Sequence, residues 1–137
     1  QAATDDAVAR AVARGVARAD RGLVLVGLCT TTAMRRAAEA EGLRFAGEAF
    51  ADRRYHADGT LQPRHVAGSV ITDPAQAAAQ ALRIAREGVV DVPGGATVRL
   101  CAQTLCVHGD NPSALQNARA VRRALDDAGI EVAALRV

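Results

Sequence analysis

Ala102-Gln103-Thr104-Leu105-Cys106-Val107-His108-Gly109-Asp110-Asn111-Pro112 says more about this chain than any other stretch. Ala102 to Leu105 reads as a buried strand. Asn111-Pro112 reads as a helix opening, with Asn as N-cap and Pro at the first helical position. His108, Gly109 and Asp110 then sit on a strand-to-helix turn. In α/β folds that edge is where binding and reacting groups collect. Gly109 lets the backbone bend or approach a ligand, and His108 and Asp110 supply titratable chemistry. A plain helix-capping turn with a hydrogen-bonded His accounts for the same residues.

Upstream the pattern alternates. Thr4-Asp5-Asp6 opens a helix with Val8, Val12 and Val16 along one face and Arg10, Arg14 and Arg18 along another. Leu23 to Gly27 is a continuous apolar run, as expected for a parallel strand covered on both sides. Thr30 to Ala40 reads as a second helix ended by Gly42, and Leu43 to Glu48 as a second strand. Residues 49–68 have no period; a loop of that length in a compact domain is usually functional or mobile. Asp73-Pro74 starts a third helix running to about Glu87, Gly94-Gly95 is a turn, and 96–107 holds one long strand or two short ones. The last helix presents Ala114, Ala118, Val121, Leu125 and Ala128 and ends at Gly129, and Ile130 to Leu135 reads as a final strand. The alternation predicts a single α/β domain over 1–137, with a mostly parallel sheet under helical cover.

Composition narrows the function. The chain has 137 residues and a net charge of +2, too little field to draw nucleic acid or a membrane. Its 17 basic residues are all Arg, so no lysine is available for a Schiff base or a Walker loop. The Arg residues are dispersed and stacking aromatics are few, which leaves nothing for nucleic acid to bind. Three cysteines, Cys29, Cys101 and Cys106, make no disulfide framework and suit a reducing, cytoplasmic compartment. No apolar run reaches membrane-spanning length. The chain begins with Gln1 and its only Met is Met34, so residue 1 is not expected to be the start of the gene product.

A second polar cluster lies in the long loop: Glu48-Ala49-Phe50-Ala51-Asp52-Arg53-Arg54-Tyr55, Asp58-Gly59 and Pro63-Arg64. Carboxylates and guanidiniums this close can bind an acidic substrate while keeping a general acid or base at hand. A loop tied down by its own ion pairs, with Asp58-Gly59 a simple turn, fits equally well. Phe50 and Tyr55 read as local packing. Cys101, Cys106, His108 and Asp110 lack the second close pair of a structural zinc site. Cys106 and His108 share a strand face, which permits a nucleophile–base pair without arguing for one. His56 and His65 read as exposed loop residues.

The two clusters, in this order and spacing, resemble the LamB/YcsF family. The matching segments are 48–55, Asp58-Gly59-Thr60-Leu61, Pro63-Arg64, Gly68-Ser69-Val70-Ile71 and Cys106-Val107-His108-Gly109-Asp110, with Leu25-Val26-Gly27-Leu28 upstream. The resemblance covers nearly the whole chain and implies the C-terminal half of a longer protein. The family's Asp-, His- and Gly-rich N-terminal motifs are missing here. The implied fold is a partial (β/α) barrel of the seven-stranded glycoside hydrolase/deacetylase type, since a closed barrel takes about 250 residues. The implied activity is that of the A subunit of an ATP-dependent 5-oxoprolinase. That enzyme opens 5-oxoproline to L-glutamate, with ATP as co-substrate and the 5-oxoprolinase B and C subunits as partners; this half alone is expected to be inactive.

On that resemblance the candidate catalytic residues are His108, Asp110, Asp52 and Glu48, and the candidate substrate-binding residues are Arg53, Tyr55 and Arg64. His108 would move a proton, oriented by Asp110. Arg53 would hold a carboxylate or phosphate of the small-molecule substrate, and Glu48 or Asp52 would position water or a divalent metal. Two other readings remain: a metal-assisted deacetylase or amidohydrolase, by fold analogy, and a non-catalytic module that docks partner subunits.

Overall fold

A computed structural model describes residues 2–136. The chain divides into two compact units. The first comprises residues up to Glu48 together with Cys101–Thr104 and the last residues, and the second comprises Ala49–Leu100 and Leu105–Ala134.

In the first unit, α1 (Asp6–Ala19) leads to β1 (Val24–Leu28), α2 (Ala33–Ala40) and the start of β2 (Arg44–Phe50). Asp5 caps α1 by accepting the N–H groups of Ala7 and Val8. β1 and β2 are parallel, with Val24 opposite Arg44 and Leu28 opposite Glu48. The buried side of α1 is Ala9, Ala13 and Ala17, one position on from the valine stripe, and Val12 is exposed. These alanines pack with Ala33, Met34, Ala37 and Ala38 of α2 and with Leu25 and Leu43. Small side chains let helix backbones approach closely, so an alanine row outcompetes a valine row here. Gly47 marks another close approach: a Cβ there would lie 2.9 Å from Cys29 Cβ and 3.0 Å from the Cys101 carbonyl. Gln103 clamps the same point, its N–H donating to Gly47 O and its Oε1 accepting the Gly47 N–H.

The second unit holds α3 (Pro74–Glu87), β3 (Val89–Asp91), β4 (Thr97–Arg99), the end of β5 (Thr104–Cys106) and α4 (Ala114–Asp127). β1, β2 and β5 form one sheet in the order β1-β2-β5. β3 and β4 form a separate antiparallel hairpin, a departure from the mostly parallel expectation, turned at the left-handed Gly94 and Gly95. The 96–107 stretch is therefore two short strands. α3 starts at Pro74 behind the Asp73 cap and stops at Gly88, as its sequence signals require. Ala77 and Ala81 of α3 pack on Val121 and Leu125 of α4, with Ala51 and Ile71.

Two terminal expectations need correction. α4 begins at Ala114, because Asn111 closes a tight turn on Ser113, its Oδ1 accepting the Ser113 N–H at 2.9 Å. Ile130 to Leu135 forms no strand. Ile130 donates its N–H to Leu125 O as a helix cap, and Glu131 to Arg136 are exposed and pair with no strand among the described residues. An apolar run becomes a strand only where a neighbouring edge accepts its hydrogen bonds.

The apolar stripe of α4 contains a buried Asn117 where the sequence reading placed Ala118. Its Nδ2 donates to Ile71 O at 2.9 Å and so pins the end of the long loop to the helix. Asn117→Ala is expected to cost about 1–3 kcal/mol, the penalty of leaving a buried carbonyl unpaired, read as a lower urea midpoint at unchanged m-value.

Candidate functional site

β2 ends at Phe50, and Ala51 donates its N–H to Cys106 O at 3.0 Å. That bond sets the two chain segments in register, so that Asp52 and His108 meet just beyond it. Asp52 is fully buried and gives both carboxylate oxygens to one residue. Oδ2 accepts the His108 backbone N–H at 2.8 Å, and Oδ1 lies 2.8 Å from His108 Nδ1. A carboxylate only accepts, so Nδ1 carries the proton and Nε2 of the neutral ring keeps its lone pair. The Phe50 ring stacks on the imidazole, with centroids 5.3 Å apart and an interplanar angle of 17°. The ring is thus fixed in plane and tautomer while 18% of the side chain stays open to solvent.

The turn that carries Asp52 is held from behind. Gln80 Nε2 donates to the carbonyls of Phe50, Ala51 and Arg53 at 2.9, 3.2 and 2.9 Å. Ile71 donates to Asp52 O, and the Tyr55 hydroxyl accepts the Phe50 N–H at 2.8 Å. Short bridges pair Arg53 with Val70 and Tyr55 with Leu61. Asp58-Gly59 is a turn in which Asp58 accepts both the N–H and the hydroxyl of Thr60. Residues 50–62 are thus tied down by hydrogen bonds, whereas residues 63–68 are exposed.

Arg53 is buried, and one guanidinium nitrogen donates to Gln62 O. Its Nε has no hydrogen-bond partner, and none of the ion pairs among the described residues includes it. Burial, and then the like charge of Arg64, pull its pKa below the ordinary guanidinium value. Arg64 is exposed and donates to Asp110 Oδ2. That bond holds the Asp110 carboxyl below its ordinary range.

The second unit therefore gathers Asp52, Arg53, Arg64, His108 and Asp110. The carboxylate on the imidazole is Asp52, where the sequence reading gave Asp110; Asp110 serves Arg64. Tyr55 also needs correction as a substrate-binding residue, because its side chain is fully buried and its hydroxyl is spent on the backbone. Glu48 belongs to the first unit, where its carbonyl accepts the Cys29 N–H at 3.0 Å. A cavity of about 290 Å³ in the second unit is lined by Arg54, Gln76, Gln80, Arg83 and Asp91, none of them a sequence-predicted site residue. Among the described residues, no three His, Cys, Asp or Glu side chains gather as a set for a metal ion. None of the three cysteines is in a disulfide, and no helix among the described residues is long and apolar enough to cross a membrane.

Sequence reasoning missed the supports, Gln80 and Asn117. Their signal is a polar amide on an otherwise apolar helix stripe: Asn117 in the 117-121-125 row, and Gln80 one turn before Ile84.

The sequence profile of the LamB/YcsF family matches residues 1–137. The chain belongs to the LamB/YcsF family. It is 51% identical over 133 residues to the A subunit of 5-oxoprolinase from Bordetella pertussis, covering 97% of this chain and 52% of that protein. It is 49% identical over 134 residues to the corresponding 5-oxoprolinase protein of Thermus thermophilus, covering 98% and 53%. The crystal structure of the lactam utilization protein from Thermus thermophilus superposes with a TM-score of 0.86 at 47% identity, covering 97% of this chain and 52% of that one. This LamB/YcsF chain thus has an α/β fold shared with a solved relative, and spans about half the length of the curated relatives it matches.

Proposed function

We propose that this chain forms part of the A subunit of an ATP-dependent 5-oxoprolinase, and that His108, positioned by Asp52, is its proton carrier. The Asp52–His108 pair carries this reading, together with relatives that bear that name. An unstrained lactam is a poor electrophile, and ATP as co-substrate would activate it by phosphorylating the lactam carbonyl oxygen, with release of ADP. Water then adds to the activated carbonyl carbon, and Nε2 of His108 takes the water proton. The C–N bond breaks as the same proton passes to the departing ring nitrogen, and a second water hydrolyses the acyl phosphate left behind to the free carboxylate and inorganic phosphate. Asp52 steadies the imidazolium formed in between. Arg53 offers a buried positive charge for the substrate carboxylate.

This reading includes the B and C subunits as partners and a cytoplasmic location, in keeping with three cysteines outside any disulfide. It also includes a seven-stranded (β/α) barrel to which this chain contributes the later strands. No step is routed through a metal, because the residues gathered here make no metal set by themselves.

The test is a chimera in which this chain replaces the matched segment of the Thermus thermophilus protein, assayed with the B and C subunits for ATP-dependent glutamate formation. Turnover is expected, with a fall of about 10²- to 10⁴-fold on His108→Ala. An assembled, folded chimera with no turnover, or a His108→Ala version at parental rate, overturns the reading.

A further inference from the structure

Arg53 is a buried cation that its own chain answers only in part: the charges of Asp52 and Asp110 act on it, yet neither forms an ion pair with it. A guanidinium taken out of water is unfavourable unless an anion or a full set of acceptors compensates it. Arg53 has one carbonyl, an idle Nε and no ion-pair partner. Arg64 is the second cation acting on it, and Arg64 is occupied by Asp110. Both ends of that pair are exposed, and exposed pairs are weakly held. Asp110 stands two residues past His108, so its carboxylate shares the turn that presents the imidazole.

We propose that Arg53 and Arg64 form a two-guanidinium anion site beside His108, and that Asp110 is its built-in competitor. Asp110 holds Arg64 until an incoming carboxylate or phosphate group displaces it. Asp110 then sets affinity and selectivity, since a ligand must offer more to the two guanidiniums than a single weakly held carboxylate does. The identity of the ligand as substrate rests on the reading under Proposed function; the anion site itself does not.

The test titrates the 137-residue chain at neutral pH and low chloride with inorganic phosphate and, separately, with 5-oxoproline. The readout is the His108 imidazole resonances. Asp110→Asn is expected to tighten binding of both probes about two- to fivefold, the strength of one exposed ion pair. The gain should vanish when Arg64→Gln is added, a surface change that leaves the fold intact, and Arg53→Gln should weaken both probes below the parent. An unchanged or weaker Asp110→Asn, a gain that survives Arg64→Gln, or no binding of either probe overturns the proposal. Phosphate following the expected order without any 5-oxoproline binding upholds the anion site and removes the substrate assigned above. Tight 5-oxoproline binding that ignores all three substitutions does the reverse.

Discussion

Asp52→Asn is expected to lower turnover of the chimeric enzyme by about 10²- to 10⁴-fold while leaving KM within a few-fold. The substitution keeps volume and shape, so the cause lies in one hydrogen bond. The His108 backbone N–H still requires an acceptor, and the Asn carbonyl oxygen must take that place. The amide NH₂ is then turned toward Nδ1, which becomes an acceptor, and the ring proton moves to Nε2. The nitrogen that should collect a proton now carries one, and no carboxylate remains to steady an imidazolium. Substrate binding, which the proposed function gives to Arg53, should be largely spared. Imidazole nitrogen shifts on the 137-residue chain report the tautomer directly: Nδ1–H in the parent and Nε2–H in the variant. A variant that switches tautomer yet turns over at the parental rate would remove His108 from proton transfer. A variant that keeps Nδ1–H would remove Asp52 as its positioning residue.

Much of the fold is legible in the sequence where a local rule decides it. Asp73-Pro74 and Gly88 bound α3 because cap, ring constraint and left-handed glycine act within a turn. The apolar run gives the parallel strand Val24–Leu28 beside β2, although its cover is uneven, with Leu25 and Leu28 buried and Val26 exposed. Local rules fail where a neighbour decides. Val8, Val12 and Val16 are the more hydrophobic row of α1, yet the alanine row is buried because another helix lies close. Ile130 to Leu135 has the composition of a strand but pairs with none among the described residues.

The site divides in the same way. His108 and Asp52 stand out in sequence as polar residues at strand ends. Their pairing does not, because it spans 56 positions and depends on the register fixed by Ala51 and Cys106. Asp110, two residues from His108, is the natural guess for its partner. A residue so near in sequence on a turning backbone is free to point elsewhere, and here it meets Arg64. Proximity along the chain is a poor guide to side-chain pairing at a turn; register is a better one.

Gln80→Leu is expected to destabilise the chain by about 2–4 kcal/mol and to loosen the imidazole even though Gln80 touches neither Asp52 nor His108 side chains. One amide group serves three carbonyls, those of Phe50, Ala51 and Arg53. They belong to the segment that aims Asp52 inward, and leucine matches the volume of glutamine while supplying no donor. The loss therefore reflects unpaired carbonyls with little contribution from a cavity. Against a total stability of about 5–15 kcal/mol, a change of this size moves the urea midpoint by a large fraction. Gln80→Glu sharpens the test, because it keeps length and branching but turns a donor into a charge facing three oxygens, and should be worse than leucine. Hydrogen exchange of the His108 amide, protected by Asp52 in the parent, should quicken in both variants by more than that of amides in α1, which lies in the other compact unit. Equal stability of the leucine variant and the parent would show that the turn is held by its own bridges at Arg53–Val70 and Tyr55–Leu61.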